Sequence, residues 1–496
     1  MRRTILCLFM LLSSLTLSAQ EKVRELVSAD YDRASISLIF VDRGNLTGDV
    51  AKFYKQIGFP AKFDVNKIST KLFTRACLKN GTITDVEHMT AYVNNANIGN
   101  EVISYIYNRK SDGTFDDSLI KERAKYNATD QDIRNIEAAK VKDQWLEMGE
   151  KLVESSYIIV YDISDITSRV NSSGQISYRA QTNAMVFKIN ADKNVIYDFY
   201  MNGWADDTYS PEDKARAKIA FDLMKFDMEF VASATGKGSS SSTSSSNATI
   251  YEACMDAHED LFINLEKQIS KWQVATSVVS IHPIAAKIGT KENVQNADRY
   301  AVYAYRENKD GELISVKRGM VRATVVSNND GIATGNTEPT YFYQISGGLN
   351  VREGYTLVEK KDSKFGGSIS AGMTPAGIRV GLDMDFIAHI SKRGCITYPL
   401  INIGLDFGKE TNLDGSLGLG FGMPISRYFE FMPYATLGGY YSIDADKLSA
   451  YFIEPGVRAA ITIQPLSIYV GLGYDVCLGT RLKPGVVLKG GIKWTF

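Results

Sequence analysis

The sequence predicts an α+β region followed by an eight-stranded antiparallel transmembrane β-barrel at the carboxyl end. The first observation is the final segment, 484–496, whose residues alternate between two faces of an extended strand. The apolar face carries Leu488, Ile492, Trp494 and Phe496. The second observation is that the preceding stretch of about 120 residues repeats this alternation from strand to strand. An apolar outer face and a polar inner face are typical of a barrel built for lipid.

Eight strands are expected in this region, and each is long enough to cross a bilayer, which takes about nine to eleven residues. Their predicted ranges are 365–374, 377–390, 396–408, 415–425, 428–443, 450–463, 466–478 and 485–496. The outward positions of the second strand run from Ile378 to Phe386, and those of the fourth from Leu417 to Ile425. The even number of strands agrees with single-chain bacterial barrels.

The carboxyl-terminal region resembles the small eight-stranded outer-membrane barrels of the OmpA/OmpX type. In that group the last strand ends in Phe after alternating apolar residues, and the barrel-assembly machinery recognises this ending. Leu488, Ile492, Trp494 and Phe496 match that assembly signal. The resemblance implies outer-membrane lipid and the assembly machinery as partners, and it implies that both ends of the barrel lie on the periplasmic side.

The inward positions combine small residues with ionisable ones. Because side chains just fill an eight-stranded barrel, we expect these charges to pair across the lumen, since an unpaired buried charge is costly. The expected network comprises Arg379, Asp383, Asp385, Glu454, Arg458, Lys489 and Lys493, with Asp406, Glu430 and Asp475 also inward. Acid–base chemistry by Asp383 and Asp385 is the less favoured interpretation, because a neighbouring cation is enough to explain them.

The amino terminus predicts a secretory signal peptide over residues 1–20. Arg2 and Arg3 precede an apolar run, and small residues surround Ala19. No later run of 18 apolar residues is present, so helical membrane spans are not expected. The 56 basic and 57 acidic residues nearly cancel, which argues against a nucleic-acid partner.

Residues 21–285 are expected to form a mixed αβ region in the periplasm. Strands are predicted at 36–41 and 157–163, helices at 86–108, 129–154 and 210 onward, and a hairpin pairing 175–189 with 194–204. The Ser-rich stretch 236–246 predicts a flexible surface loop. A helix follows it, with an apolar stripe from Ile250 to Trp272 that includes Cys254.

Residues 286–360 predict a small β-rich domain, a closed or half-closed barrel that contains a hairpin over 299–326. The charged run 360–364 then interrupts the pattern, and the membrane section is assigned to 361–496. The order of elements between residues 129 and 230 weakly resembles the periplasmic αβ domains of the CsgG and LpoB groups. That resemblance implies a binding role.

Motifs for catalysis or cofactor binding are not expected. The four His residues form no HExxH pair, the Cys residues show no metal spacing, and no GxSxG is present. The sequence leaves open whether Cys77 and Cys254 pair or remain two buried thiols, and we favour the thiols. We therefore expect neither an enzyme, nor a metal site, nor a cofactor.

The function predicted from sequence is an outer-membrane anchor carrying a periplasmic binding or scaffolding module. Its partner would be a periplasmic protein or the cell wall, neither of which the sequence identifies. A pore or transport protein is the alternative, and a surface receptor is a third. The connections between the predicted strands are short, which favours a periplasmic rather than an external working surface.

Overall fold

The computed structural model describes residues 33–495, except 45–47, 67, 69–71, 128–148, 173, 191–192, 243–246, 308–312, 331–337, 348–350, 427, 464–465 and 479–481. The predicted signal peptide and most of the predicted helix 129–154 therefore lie outside the described residues. Three folded units follow one another along the chain: an αβ region, a closed six-stranded barrel and a closed eight-stranded barrel. No helix within the described ranges is long and apolar enough to cross a membrane.

The αβ region is built on one mixed sheet. Its strands are β1 (Ala34–Val41), β2 (Phe63–Val65), β3 (Leu72–Phe73), β4 (Ser156–Val170), β5 (Ile176–Ile189) and β6 (Met228–Ser241). They are ordered β2-β1-β4-β5-β6, with β3 also paired to β1. β1 lies parallel to β4, whereas β4, β5 and β6 are antiparallel.

Helices cover both faces of this sheet. They are α1 (Gly48–Gln56), α2 (Val86–Asn95), α3 (Ile98–Ile106), α4 (Ser118–Asn127), α5 (Lys193–Asp198), α6 (Pro211–Leu223) and α7 (Ile250–Gln268). One apolar core lies between the sheet and α1 with α7, and the other lies between the sheet and α2, α3 and α6. Cys77 belongs to the second core and Cys254 to the first, and both are free thiols.

The start of α6 follows directly from its sequence. Ser210 is extended, and its hydroxyl accepts a hydrogen bond from the backbone N–H of Asp213. Pro211 stands at the first helical position, where its missing N–H costs nothing. Two acids in the first turn complement the positive end of the helix dipole. The helix begins where the sequence predicts it.

Strand β6 corrects the first part of the flexible loop predicted over 236–246, while residues 243–246 lie outside the described residues. Residues 236–241 continue the strand, pair with β5 and pack under α7. A Cβ added at Gly236 would lie 2.1 Å from the carbonyl oxygen of Ala257. The glycines that suggested a loop instead let the helix backbone rest on the strand backbone. Composition alone does not distinguish these two uses of glycine.

Side chains of α7 also satisfy the outer edge of β6. Four residues of a helix advance about 6 Å and two residues of a strand about 6.6 Å. Residues four apart on α7 therefore stay aligned with residues two apart on β6. Asp256 and Asp260 accept from the backbone N–H groups of Ser239 and Lys237, at 2.8 and 3.0 Å. Asn264 and Gln268 donate to the carbonyls of Thr235 and Ser233, at 3.1 and 3.0 Å. This edge is therefore closed to pairing with another chain.

The predicted hairpin between 175–189 and 194–204 is wrong. Strand β5 pairs with β4 and β6, while residues 193–203 form α5 and a π-helical turn. Phe199 and Trp204 pack with Tyr107 and Phe115 in the second core. Apolar residues in this segment fit a strand period and a helix period equally, and aromatic packing favours the helix.

The six-stranded barrel is closed in the order β10-β11-β8-β7-β12-β9. Its strands are β7 (Ala275–Ile281), β8 (Ile284–Ala286), β9 (Arg299–Glu307), β10 (Leu313–Val325), β11 (Thr340–Gly347) and β12 (Thr356–Glu359). The domain boundary predicted at residue 286 falls inside this barrel, because β7 and β8 already belong to it. Its interior is apolar, with Val278, Tyr300 and Leu357 among the buried residues.

The carboxyl-terminal barrel confirms the predicted eight antiparallel strands. They are β13 (Phe365–Thr374), β14 (Gly377–Phe386), β16 (Ile396–Phe407), β17 (Thr411–Pro424), β18 (Phe429–Ser442), β19 (Lys447–Ile463), β20 (Leu466–Leu478) and β21 (Gly485–Thr495), while β15 (His389–Ile390) is a short addition beside β16. β13 pairs with both β14 and β21, which closes the ring.

The contact between β6 and α7 yields a stability prediction. Gly238→Ala should lower the free energy of unfolding by about 3 kcal/mol, because overpacking against a rigid neighbour cannot be relieved by rotating a side chain. The new Cβ would lie 2.1 Å from the backbone nitrogen of Ala257. Gly58→Ala is the control, since open space surrounds its Cβ position, and it should change stability little. Guanidinium titration of the full chain measures both; equal effects would contradict this packing.

Candidate functional site

The interior of the eight-stranded barrel holds the densest group of charged side chains in the described chain. The structure places all seven predicted network residues inside the barrel: Arg379, Asp383, Asp385, Glu454, Arg458, Lys489 and Lys493. They lie inward because side chains alternate along each strand. The outward positions next to them are apolar and exposed, including Leu382, Ile453 and Leu488.

Arg379 forms the largest cluster in the lumen. Its Nε donates to Asp414 at 2.8 Å, its Nη2 lies 3.1 Å from Asp383, and its Nη1 donates to Ser370 at 2.8 Å. The Tyr469 hydroxyl donates to the second oxygen of Asp383 at 2.7 Å. Arg379 is 1% exposed, so these bonds replace all of its water. The cluster joins strands β13, β14, β17 and β20 across the lumen.

Asp414 was missed by the sequence analysis. Its position has the same parity as the inward Ser416 and Gly418, but the fourth strand was predicted to start at 415. The structure starts β17 at Thr411, which brings Asp414 inside the barrel at 4% exposure. Extending the alternation by four residues in the sequence would have revealed it.

Two further clusters of charged side chains lie inside the barrel. Lys493 lies 2.8 Å from Asp385, and the Arg458 guanidinium lies 4.3 Å from the centroid of the Tyr469 ring. Lys489 lies 2.7 Å from Glu454, which also accepts from the Tyr434 hydroxyl at 2.6 Å. Asp383 and Asp385 are thus held by different cations, an arrangement that serves packing of the lumen rather than a shared proton.

The inward positive and negative charges of the barrel are unequal in number. With Asp414 included, acids outnumber bases among the described inward residues, and three further acids accept hydrogen bonds from hydroxyl groups. Glu430 accepts from Tyr398 at 3.0 Å. Asp406 accepts from Thr374, and Asp475 accepts from Tyr440. Asp406 and Asp475 lie in the half of the lumen farther from the six-stranded barrel, near residues 375–376 and 482–484. Nowhere in the described ranges do three or more His, Cys, Asp or Glu side chains form a group that could hold a metal ion.

A second charged site joins the αβ region to the barrels. Lys62, fully buried, lies 3.1 Å from Glu266 on α7 and 3.0 Å from Glu359 at the end of β12. Lys361 lies 2.8 Å from Glu359. We refer to Lys62, Glu266, Glu359 and Lys361 as the junction cluster. Within the charged run that the sequence marked as a break between domains, Lys361 thus contacts Glu359 of the six-stranded barrel and lies 3.8 Å from Glu266 of the αβ region.

Electrostatics differ between the two acids of the junction cluster. Burial opposes ionisation of both. At Glu359 the two lysines outweigh burial and lower the pKa, whereas at Glu266 burial prevails and raises the pKa. The same carboxylates raise the pKa of Lys361 despite its burial. Glu359 is therefore the anion that holds the lysines in place.

The linker continues with a further group of ion pairs, centred on Asp362. Asp362 contacts the guanidinium of Arg322 on β10, and Arg299 on β9 lies 3.4 Å from the same carboxylate. Burial lowers the pKa of Arg299, and the Asp362 charge opposes this effect. Lys364 lies 2.9 Å from Asp298. Glu359, Lys361, Asp362 and Lys364 thus all form ion pairs, and Lys360 donates to Gln273.

The two barrels meet at a small cavity of about 80 Å³. Its walls combine Arg322 and Tyr343 of the six-stranded barrel with Asp385, Glu430 and Lys493 of the eight-stranded one. Direct bonds flank it: Asn296 bonds to the backbone of Ile390, and the Tyr428 hydroxyl lies 3.5 Å from the carbonyl of Gly347. The six-stranded barrel thus covers the mouth of the eight-stranded barrel.

The sequence matches no known family model, and no curated protein matches it. Among solved structures, one from the de novo design of transmembrane β-barrels is similar at 16% identity and a TM-score of 0.20, covering 28% of this chain and 98% of the other. The de novo designed TMB2.3 is similar at 17% identity and a TM-score of 0.20, covering 28% of this chain and 97% of the other. The β domain of the Bordetella autotransporter Brka is similar at 10% identity and a TM-score of 0.17, covering 67% of this chain and 96% of the other. These TM-scores assign no family, so we base the function on the residues of this chain.

The Arg379 cluster yields a prediction about barrel stability. Arg379→Gln should destabilise the barrel by about 3–5 kcal/mol, because Asp383 and Asp414 would remain buried without their cation. Arg393→Gln, at an exposed loop position, is the matched control and should have little effect. Guanidinium titration in a non-ionic detergent, followed by the electrophoretic mobility of unheated samples, measures the difference. A barrel that tolerates both changes equally would show that the lumen does not depend on this cluster.

Proposed function

We propose that the chain is an outer-membrane protein whose eight-stranded barrel is inserted in lipid and anchors a binding or scaffolding module. The observation that carries this proposal is the outer wall of the barrel. Large apolar side chains are exposed on all eight strands, such as Ile369, Leu419 and Leu472 at more than half of their surface. A continuous apolar belt of this size is rare on soluble monomers and marks a membrane or protein contact.

The six-stranded barrel supports this proposal as a comparison within the same chain. It is also closed, but its apolar residues point inward and its described outer surface carries polar residues such as Lys317. The two barrels therefore have opposite polarity. In water the six-stranded barrel buries its apolar residues, whereas the eight-stranded barrel would expose them. In lipid, the apolar outer wall of the eight-stranded barrel becomes favourable. The difference arises from which of the two alternating sets of strand residues is apolar, the inward or the outward set, and not from the barrel architecture.

The filled lumen favours an anchor over an open pore. The Arg379, Lys489 and Lys493 clusters cross the interior, and opening a path would separate buried charges. The six-stranded barrel also covers one mouth. A pore would require both of these obstacles to move, which makes transport the second choice.

The proposed side of the membrane follows from the resemblance to small outer-membrane barrels. An even number of strands places both ends of the barrel at one mouth, and in the resembling barrels that mouth is periplasmic. The six-stranded barrel adjoins this same mouth through the contacts at Ile390 and Tyr428, and the junction cluster joins the αβ region to the six-stranded barrel. The working surface is then periplasmic, and its partner is a protein or a cell-wall polymer.

Insertion into lipid can be tested with one substitution and a matched control. Leu472→Arg, in the middle of β20, should reduce the stability of the barrel folded into lipid vesicles by about 2–4 kcal/mol, because a charge would enter the bilayer core. Leu223→Arg is the control, since Leu223 is 78% exposed at the end of α6, outside the barrel. It should change stability by less than about 0.5 kcal/mol.

Urea titration of the vesicle-bound chain measures both variants. If Leu472→Arg is tolerated as well as Leu223→Arg, and the chain stays folded in buffer without detergent, the outer wall does not face lipid. The proposal of a membrane anchor would then be wrong.

A further inference from the structure

Strand β4 has an edge without a neighbouring strand among the described residues. β1 pairs with it only as far as Tyr161, whereas β4 continues to Val170. From Thr167 to Val170 the strand is exposed. The opposite edge of the sheet is closed by the side chains of α7, so the two edges are treated differently. An open edge is a template for pairing with another strand.

The hydrogen bonds of the hairpin show which backbone groups face this edge. Asn171 donates its N–H to Gln175, so it points toward β5, and odd-numbered residues back to Asp165 point the same way. The carbonyl of Ile176 faces β6 instead, where it accepts from Ser242. By alternation, the N–H and C=O groups of Ile166, Ser168 and Val170 point to the open edge.

Two opposite charges flank the centre of this segment. Asp165 and Arg169 lie on the same face of β4, four residues apart, with about 13 Å between their Cα atoms. Both are exposed, and the ion pairs found among the described residues include neither of them. A second strand running antiparallel, with Thr167 opposite Thr167, would place each Asp165 opposite an Arg169.

We infer that this edge pairs with the same edge of a second copy of the chain, antiparallel and centred on Thr167. The pairing is isologous, so one set of residues supplies both halves of the interface. Ile166 and Ser168 of the two copies form the hydrogen-bonded pairs, while Thr167 and the Asp165–Arg169 pairs occupy the non-hydrogen-bonded positions, where side chains are closest. The two αβ sheets become one continuous sheet.

Charge selects this register over its neighbours. Shifting the centre to Ile166 or to Ser168 keeps the backbone pairing but leaves both charges without partners. A parallel arrangement brings like charges close together, which is unfavourable. The inference stands on the αβ region alone and does not require that the barrel be in a membrane.

Cross-linking of the full chain in detergent micelles tests the register. Cys395, the exposed native thiol, is first replaced by Ser. Thr167→Cys should then form a disulfide between two copies, since facing Cα atoms in such a pair lie about 4.5 Å apart. Val170→Cys is the matched control: it is 67% exposed on the same edge but far from its counterpart in this register. Equal cross-linking at both positions, or none at Thr167→Cys, would overturn the inference.

Charge reversal provides a second, independent test on the same background. Asp165→Arg or Arg169→Asp alone should weaken self-association about tenfold, because each puts like charges opposite one another twice. Mixing the two single variants should restore association as a heterodimer, and the double variant should restore the homodimer. Sedimentation velocity with one variant fluorescently labelled measures this. Single variants that associate like the parent would contradict the pairing.

Discussion

Glu359 ends the six-stranded barrel six residues before the eight-stranded barrel begins, and its carboxylate is bound by two lysines from opposite directions. Lys62 comes from the αβ region and Lys361 from the linker. Lys62, Glu266 and Glu359 are almost entirely removed from water, so separating the units would leave charges buried without partners or require them to be hydrated again. This constraint fixes where the chain leaves the αβ region and how it enters the barrel. The arrangement of all three units depends on it.

A buried ionic junction is weak evidence for high stability, because an apolar junction of the same shape can be as stable. Charged groups instead restrict the geometry of the junction, because a carboxylate bound between two lysines accepts few alternative arrangements. Asp362 repeats the arrangement with Arg322 and Arg299 immediately after it. The short polar linker therefore makes two sets of defined contacts, one at Glu359 and one at Asp362. Such contacts suit a module that has to be held at the mouth of a membrane anchor.

Much of the fold could be predicted from the sequence, because alternation along a strand is a strong signal when it repeats. All eight strands of the carboxyl-terminal barrel begin and end close to the predicted residues, and the inward charges follow from parity. The failures have specific causes. Gly236 and Gly238 were taken as loop residues because the close approach of α7 depends on partners distant in sequence. Residues 194–204 formed helical turns because Phe199 and Trp204 found an aromatic core that local pattern does not show.

The charged sites also divide into those that could be predicted from the sequence and those that could not. Arg379 and Asp383 could be predicted as neighbours, being four residues apart on one face, but Asp414 required the correct start of β17. The junction cluster could not be predicted, since Lys62 and Glu359 are separated by almost 300 residues of chain. Only their burial in the folded protein distinguishes them from solvated surface charges.

Thiol labelling of intact cells tests the central claim, that the barrel spans an outer membrane with the other two units on its inner side. Cysteines replace Lys409, exposed at the far turn of the barrel, and separately Asn328, exposed beside the six-stranded barrel, in a background without native cysteines. The reagent is one that cannot cross the outer membrane. We expect position 409 to react on whole cells and position 328 only after the envelope is broken. Reaction of position 328 on intact cells would contradict the account and place the module on the cell surface.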